Sequence, residues 1–142
     1  MVSLELSRAL RDAGLEWTPR QYDFFAVDSP ALRDNVFVLS DVMSTVERRN
    51  GRLLITFHGA LEWALDYVLV EEAIWRPTEA QVRELVERRL RMMDAHGALL
   101  LRYTIDGYDC VIYSRGEEQF ATQALSAADA YGQVLNYLLG EA

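Results

Sequence analysis

Apolar residues recur at three- and four-residue spacing in three stretches of the chain, a period typical of amphipathic helices. Each stretch begins after a residue type that caps helices well, and these residues are Ser3, Thr78 and Ser126. Each stretch closes at a glycine, and these are Gly14, Gly97 and Gly140. Thr78 and Gln81 also have the spacing of a capping box. The pattern therefore predicts three helices, of which the second is the longest.

Short apolar and aromatic runs between turn residues predict strands elsewhere, and residues 116–122 form a loop or an edge strand. The predicted strands are residues 22–27, 36–39, 42–48, 53–58, 99–105 and 108–114. Asn50 and Gly51 join two of these strands and suit the positive φ angles of a type I′ turn. A strict two-residue loop would set Arg49 opposite Arg52, and this repulsion favours a longer or bulged loop.

Asp106 and Gly107 predict a second tight hairpin, and a two-residue turn fixes the register of its strands. One face of this hairpin is apolar, so Cys110 is expected to point into the core as a small buried hydrophobe. The expected cross-strand pairs are Ile105 with Tyr108, Thr104 with Asp109, Tyr103 with Cys110, Arg102 with Val111, and Leu101 with Ile112.

The order of the predicted elements is helix, several strands, helix, hairpin and helix. Strands that follow one another through hairpins favour antiparallel pairing, so we predict an α+β fold whose mainly antiparallel sheet has about five or six strands. The sheet and the three helices are expected to pack as two layers of a single domain that spans residues 1–142. No internal repeat or linker interrupts the sequence.

Length and composition agree with this prediction. A chain of 142 residues with 51% apolar and 25% charged residues has the size and balance of one globular domain. No apolar run approaches the roughly 20 residues that a membrane-spanning helix needs. Glu5 stands early in the N-terminal segment, where a signal peptide would be basic. We therefore expect a cytoplasmic protein without a membrane partner.

Charge and chemistry exclude several further classes. The net charge is −8, so a surface for nucleic acid would have to overcome electrostatic repulsion. Cys110 is the single cysteine, which excludes an intrachain disulfide and a thiolate metal cluster. The glycines are isolated and no serine stands in a nucleophile elbow, so a phosphate loop and a hydrolytic triad lack support. We predict no nucleic-acid partner, no catalytic residue, no metal and no cofactor.

The densest group of chemically active residues is His58, Glu62 and Asp66, which recur at four-residue spacing. On one helix they would share a face, where they could hold a divalent metal ion or pair a histidine base with a carboxylate. Gly59 opposes a continuous helix from His58, and the set falls short of a known zinc signature. A small metal-dependent or acid–base enzyme that uses these three residues is an alternative hypothesis.

Glu62, Trp63 and Asp66 are the predicted binding residues. An aromatic side chain flanked by acids is typical of surfaces that meet cationic or amphipathic partners. In the competing structural interpretation, Trp63 and Leu65 are packing residues on a strand or turn, while the two acids stay solvated or accept backbone hydrogen bonds. The sequence leaves both interpretations open.

Three stretches together resemble a family of short, uncharacterised bacterial proteins that are often labelled as pilus-assembly proteins. They are Asn-Val-Phe-Val-Leu-Ser-Asp at residues 35–41, Glu-Trp-Ala-Leu-Asp at 62–66, and Ala-Ala-Asp-Ala-Tyr-Gly at 127–132, which leads into Leu135 and Leu138-Leu139. The resemblance covers most of the chain and implies a bacterial protein, but no agreed activity. An asparagine is usual in this family at the position of His58.

The leading hypothesis is a non-enzymatic binding or adaptor protein, acidic and cytoplasmic. Its sheet, or an edge of its sheet, would meet a protein partner or a second copy of the chain, as in a homodimer. A third hypothesis, supported by the net charge alone, is an acidic inhibitor or immunity-type protein that masks a basic partner.

Overall fold

The computed structural model describes residues 1–40, 44–57 and 67–141. The chain divides into two compact units, the first comprising Met1–Leu15 with Pro77–Ala142 and the second comprising Glu16–Arg76. In chain order, the elements are α1 (Leu4–Asp12), β1 (Phe24–Val27), β2 (Phe37–Val38), β3 (Ser44–Arg49), β4 (Arg52–Phe57), β5 (Tyr67–Leu69), a 3₁₀ turn (Val70–Glu72), β6 (Ala73–Trp75), α2 (Glu79–Met93), β7 (Gly97–Thr104), β8 (Gly107–Ser114), β9 (Glu117–Ala124) and α3 (Ala127–Gly140).

Three helices and nine antiparallel strands lie within the described residues, which confirms the predicted α+β class. The sheet differs from the expected one of five or six strands, because the strands form three sheets of three. Their orders are β2–β1–β6, β3–β4–β5 and β7–β8–β9. The apolar side chains gather in two separate core clusters, one in each unit. The expected two layers built on one sheet therefore do not describe this chain.

The core of the first unit lies between its helices and the third sheet, β7–β8–β9. Here α2 packs against β7, and α3 packs against β8 and β9. On the other side, α1 packs against α3, where a Cβ atom at Gly132 would come within 2.7 Å of Leu6 Cδ2. The buried core residues of this unit include Leu10, Val82, Val86, Cys110, Ile112, Val134 and Leu135.

The predicted helix starts are confirmed by their caps. The hydroxyls of Ser3 and Ser126 accept hydrogen bonds from backbone amides in the first turns of α1 and α3. Thr78 and Gln81 form the complete capping box, with side-chain to backbone distances of 3.3 and 2.9 Å. Each cap satisfies amides that have no partner inside the helix, so local sequence is sufficient to place these ends.

The end of α2 differs from the prediction that Gly97 closes the helix. The helix ends at Met93, and Gly97 is already the first residue of β7. Asp94 leaves the helical conformation at φ −151°, and its carboxylate accepts a hydrogen bond from the amide of His96 at 2.9 Å. The pKa of Asp94 is lowered because Ser114 and this amide stabilise the ionised form.

The hairpin of β7 and β8 buries Cys110 and Ile112 as predicted, but Tyr103 and Ile105 of the predicted apolar face are 71% and 94% exposed. The predicted register is wrong. The loop of the hairpin consists of Ile105 and Asp106, and Gly107 is the first residue of β8 with φ at +131°. The carbonyl oxygen of Ala124 in β9 lies so close that a Cβ atom at Gly107 would come within 2.5 Å of it. This approach keeps Gly107 within the sheet instead of the loop. The observed pairs include Leu101 with Cys110, Arg102 with Asp109, and Tyr103 with Tyr108.

The first hairpin has a strict two-residue loop, so the expectation of a longer or bulged loop is wrong. Arg49 lies directly opposite Arg52, and the two loop residues have φ of +51° and +78°. Each guanidinium has its own carboxylate, because Arg49 pairs with Glu47 at 3.1 Å and Arg52 pairs with Glu71. These ion pairs offset the repulsion between the two arginines, and the favourable turn is retained.

The second unit combines the first two sheets around its own apolar cluster, which includes Phe25, Ile55 and Val68. Trp17 packs against this cluster and stacks on Trp75, with ring centroids 6.3 Å apart. Its indole N–H donates a hydrogen bond of 2.9 Å to the buried carboxylate of Asp23. Both the ring and the polar edge of Trp17 therefore have structural partners.

We predict that Gly107→Ala destabilises the first unit, because the new Cβ atom would lie 2.5 Å from the Ala124 carbonyl oxygen at a φ of +131°. The free energy of unfolding should fall by about 3 kcal/mol. Gly116→Ala is the matched control, since Gly116 also has a positive φ but no atom within 4 Å of its Cβ position. It should cost only about 1 kcal/mol. Urea denaturation followed by circular dichroism measures both, and equal losses would contradict the close contact.

Candidate functional site

The sequence-predicted site residues lie outside the described residues. This applies to Glu62, Trp63 and Asp66, the predicted binding residues, and to His58 of the enzyme hypothesis. Their binding, structural and catalytic interpretations therefore remain predictions. Within the part of the chain that the structure describes, no three side chains of His, Cys, Asp or Glu come together as metal ligands.

Cys110 is placed as predicted, with its side chain in the core of the first unit. Its exposed fraction is 0%, and its neighbours in the same cluster include Ile112 and Val134. Burial disfavours the thiolate and raises the pKa of the Cys110 thiol from 9.0 to about 11. A nucleophilic cysteine requires the opposite environment, so this thiol is a packing residue.

The burial of Cys110 and Ile112 defines two different faces of the third sheet. Because successive side chains of a strand point to opposite faces, the alternate residues of β8 point away from the helices. We call this side the outer face. In order along the strands, its three cross-strand rows are Arg102–Asp109–Gln123, Leu100–Val111–Ala121 and Ala98–Tyr113–Glu118.

The middle row of the outer face is apolar and remains open. Leu100 keeps 50% of its surface exposed, and Ala121 is exposed as well, while Val111 between them is half-buried. The helices of the first unit pack on the opposite face, so they do not cover this row. An apolar row with polar groups at its margin is one arrangement found at surfaces that meet a protein partner.

The neighbouring row carries an ion pair between strands. Two guanidinium nitrogens of Arg102, Nη2 and Nε, donate hydrogen bonds to Oδ2 of Asp109 at 2.6 and 3.2 Å. This interaction raises the pKa of Arg102, since the carboxylate stabilises the charged form. The two charges neutralise each other, which leaves Glu118 in the third row as the charge that an approaching partner meets.

These rows enclose a shallow depression of about 380 Å³ on the outer face. The lining residues are Arg102, Asp109, Val111, Glu118, Ala121, Thr122 and Gln123. The arrangement offers a short apolar floor with a carboxylate at its margin. It carries groups for hydrogen bonding and packing, which suits binding of a partner.

Sequence reasoning missed this site because the predicted register sets Arg102 opposite Val111, which leaves no apolar row on the outer face. The signal was Leu99-Leu100-Leu101, three consecutive apolar residues in a strand whose side chains alternate. Such a run places a leucine on each face, and one of those faces is the outer one. The register shift then brings Asp109, instead of Val111, opposite Arg102.

No protein-family model matches the chain, and no curated protein or solved structure is found to be similar to it. The resemblance to the bacterial family labelled as pilus-assembly proteins thus remains a prediction. Among the described residues, no helix is both long enough and apolar enough to span a membrane.

We predict that the native Cys110 thiol reacts with iodoacetamide at least about a hundredfold more slowly than the thiol of the urea-unfolded chain at mildly alkaline pH. A pKa of about 11 instead of 9.0 lowers the thiolate fraction by that factor, and burial further limits access of the reagent. The rate for the native protein should rise as the pH approaches this pKa. Mass spectrometry of quenched samples measures it, and equal rates in both states would contradict a buried thiol.

Proposed function

We propose that this protein is a non-enzymatic, cytoplasmic binding or adaptor module of bacterial origin. Its outer face would receive an amphipathic helix of a protein partner. The observation that carries this proposal is the open apolar row of the third sheet, in which Leu100 is half exposed although it belongs to a regular strand. Solvent contact of this row has a free-energy cost that a partner's apolar side chains would remove.

The shape of the outer face favours a helix as the bound element. Three strands side by side give a cross-strand row about 10 Å long, which matches about two turns of a helix laid across the strands. The row Leu100–Val111–Ala121 crosses this surface from strand to strand. A helix with one apolar stripe can lie along the row and keep its polar side in water.

The charge of the protein favours a basic partner. Arg102 and Asp109 neutralise each other, while Glu118 stays at the margin of the depression. The net charge of −8 adds a long-range attraction for cations. A helix whose apolar stripe is bordered by Lys or Arg therefore fits both the floor and the margin of the site.

A synthetic amphipathic helix of leucine and lysine is the appropriate probe, because it has the proposed chemistry without requiring a known partner. We predict that the fluorescein-labelled peptide binds the protein with a micromolar dissociation constant in an anisotropy titration. Val111→Lys should weaken binding by at least about tenfold, equal to 1.4 kcal/mol, since it removes the centre of the apolar row and adds a repulsive charge.

Met92→Lys is the matched control, because Met92 is 82% exposed on α2 and the substitution adds the same charge away from the outer face. Binding by this variant should match that of the unmodified protein. A scrambled peptide of the same composition controls for attraction by net charge alone. The proposal fails if the scrambled peptide binds equally well, or if both lysine variants lose the same affinity.

A further inference from the structure

The edges of the three sheets differ in how they are protected from pairing with another strand. An unprotected edge exposes backbone N–H and C=O groups that can bind a further strand, and proteins blunt such edges with short strands or charges. In the described residues, β2, β5 and β6 are edges of only two or three residues. The longer edge β3 carries Glu47, Arg48 and Arg49, and β9 carries Glu117 and Glu118.

Strand β7 lacks both kinds of protection. It is an edge strand of eight residues, and it contains no acid and no proline. Its one charged residue, Arg102, is already neutralised by Asp109 within the same sheet. Leu100 is 50% exposed at its centre, and Tyr103 is 71% exposed near its end. This edge therefore combines length, apolar character and the absence of a free charge.

We propose that β7 pairs antiparallel with β7 of a second copy of this chain, around a two-fold axis that passes beside Leu100. The two third sheets then form one continuous sheet of six strands, three from each copy. The axis stands perpendicular to the sheet, so the helices of both copies lie on the same side. The two outer faces lie together on the other side.

Two antiparallel copies of β7 that are centred on Leu100 place compatible side chains opposite each other. In this register, Leu100 lies opposite Leu100 of the second copy, and Leu99 lies opposite Leu101. Large residues meet small ones further out, with Arg102 opposite Ala98 and Tyr103 opposite Gly97. An aromatic side chain across from an edge glycine covers the backbone that the glycine leaves exposed.

Neighbouring registers that keep the helices on one side fit less well. Centring the pair on Leu101 sets Leu100 opposite Arg102. Centring it on Arg102 sets two guanidinium groups opposite each other, which is repulsive. Self-pairing of β9 would bring Glu117 and Glu118 toward the same acids of the second copy. The charges therefore favour β7 over β9 and disfavour registers shifted toward Arg102. A pair centred on Leu99 contains no charge, but it joins only residues 97–101 of each copy instead of residues 97–103.

The pairing extends the proposed function. It rests on that function in one respect, which is that the joined outer faces bind the partner's helix. In the dimer, the row Ala121–Val111–Leu100 continues into the same row of the second copy, so the apolar row doubles in length. Each copy alone provides half of this row. An amphipathic helix of several turns could then contact both copies at once.

Sedimentation equilibrium of the purified full chain tests the pairing. We expect a mass of twice 16.2 kDa. Leu100→Lys should raise the dimer dissociation constant by at least about a hundredfold, because it sets two ammonium groups opposite each other. Ile105→Lys is the control, since Ile105 is 94% exposed in the loop beyond the paired residues, and it should leave the dimer intact. A monomeric unmodified protein, or a dimer insensitive to Leu100→Lys, would overturn the proposal.

Disulfide trapping tests the register and does not depend on the lysine variant being folded. Residues directly opposite in an antiparallel pair have Cα atoms about 4.5–5.5 Å apart, within the reach of a disulfide. Leu100→Cys should therefore give a covalent dimer on mild oxidation. Ala98→Cys should not, because the two substituted positions would be roughly 14 Å apart along the paired strands. Trapping through position 98 without trapping through position 100 would overturn the register.

The outcome for the dimer is separable from the outcome for the proposed function. Binding of the leucine–lysine peptide is measured in parallel for the unmodified protein, because Leu100 itself belongs to the apolar row and its variants change both contacts. A monomeric protein that still binds the peptide would overturn the self-pairing and leave the binding function in place. An unmodified dimer that does not bind the peptide would uphold the self-pairing and refute the binding function.

Discussion

The packing of α3 against β8, with Cys110 and Ile112 buried between them, is the constraint on which the rest of the first unit depends. Once these two side chains point inward, the alternation of the strand sends Asp109 and Val111 outward. The inner face becomes a dry core in which a thiolate is unfavourable, while the outer face remains open to water. The same packing therefore accounts for the unreactive cysteine and for the candidate binding surface.

Features that depend on neighbouring residues could be predicted from the sequence. The caps at Ser3, Thr78 and Ser126 place three helix starts, because each cap satisfies amides within the next turn. The inward side of the second hairpin follows from strict alternation around Cys110. The polar residues of the strand from Glu117 to Ala124 fit a loop and an edge strand equally well, so local sequence does not distinguish the two.

Features that depend on distant residues could not be predicted. The register of β7 and β8 is set by the approach of Ala124 to Gly107, seventeen positions along the chain. The repulsion between Arg49 and Arg52 is partly offset by Glu71, which lies far outside the hairpin and pairs with Arg52. The strands are divided among three sheets and two separate cores. The pattern of apolar residues within a strand does not show which core that strand joins. Residues 58–66, which the sequence favours as the site, lie outside the described residues, so their role stays a prediction.

The outer face and the edge of the third sheet share one feature, which is the exposed side chain of Leu100. A strand with leucines on both faces gains stability from its inner leucines but leaves Leu100 in water. A second strand along the edge would cover the side of the Leu100 side chain, whereas a helix on the outer face would cover the outward-pointing tip of that side chain. The two contacts approach from different directions and do not exclude each other. In the proposed dimer, the two joined copies would present a longer apolar row to a bound partner.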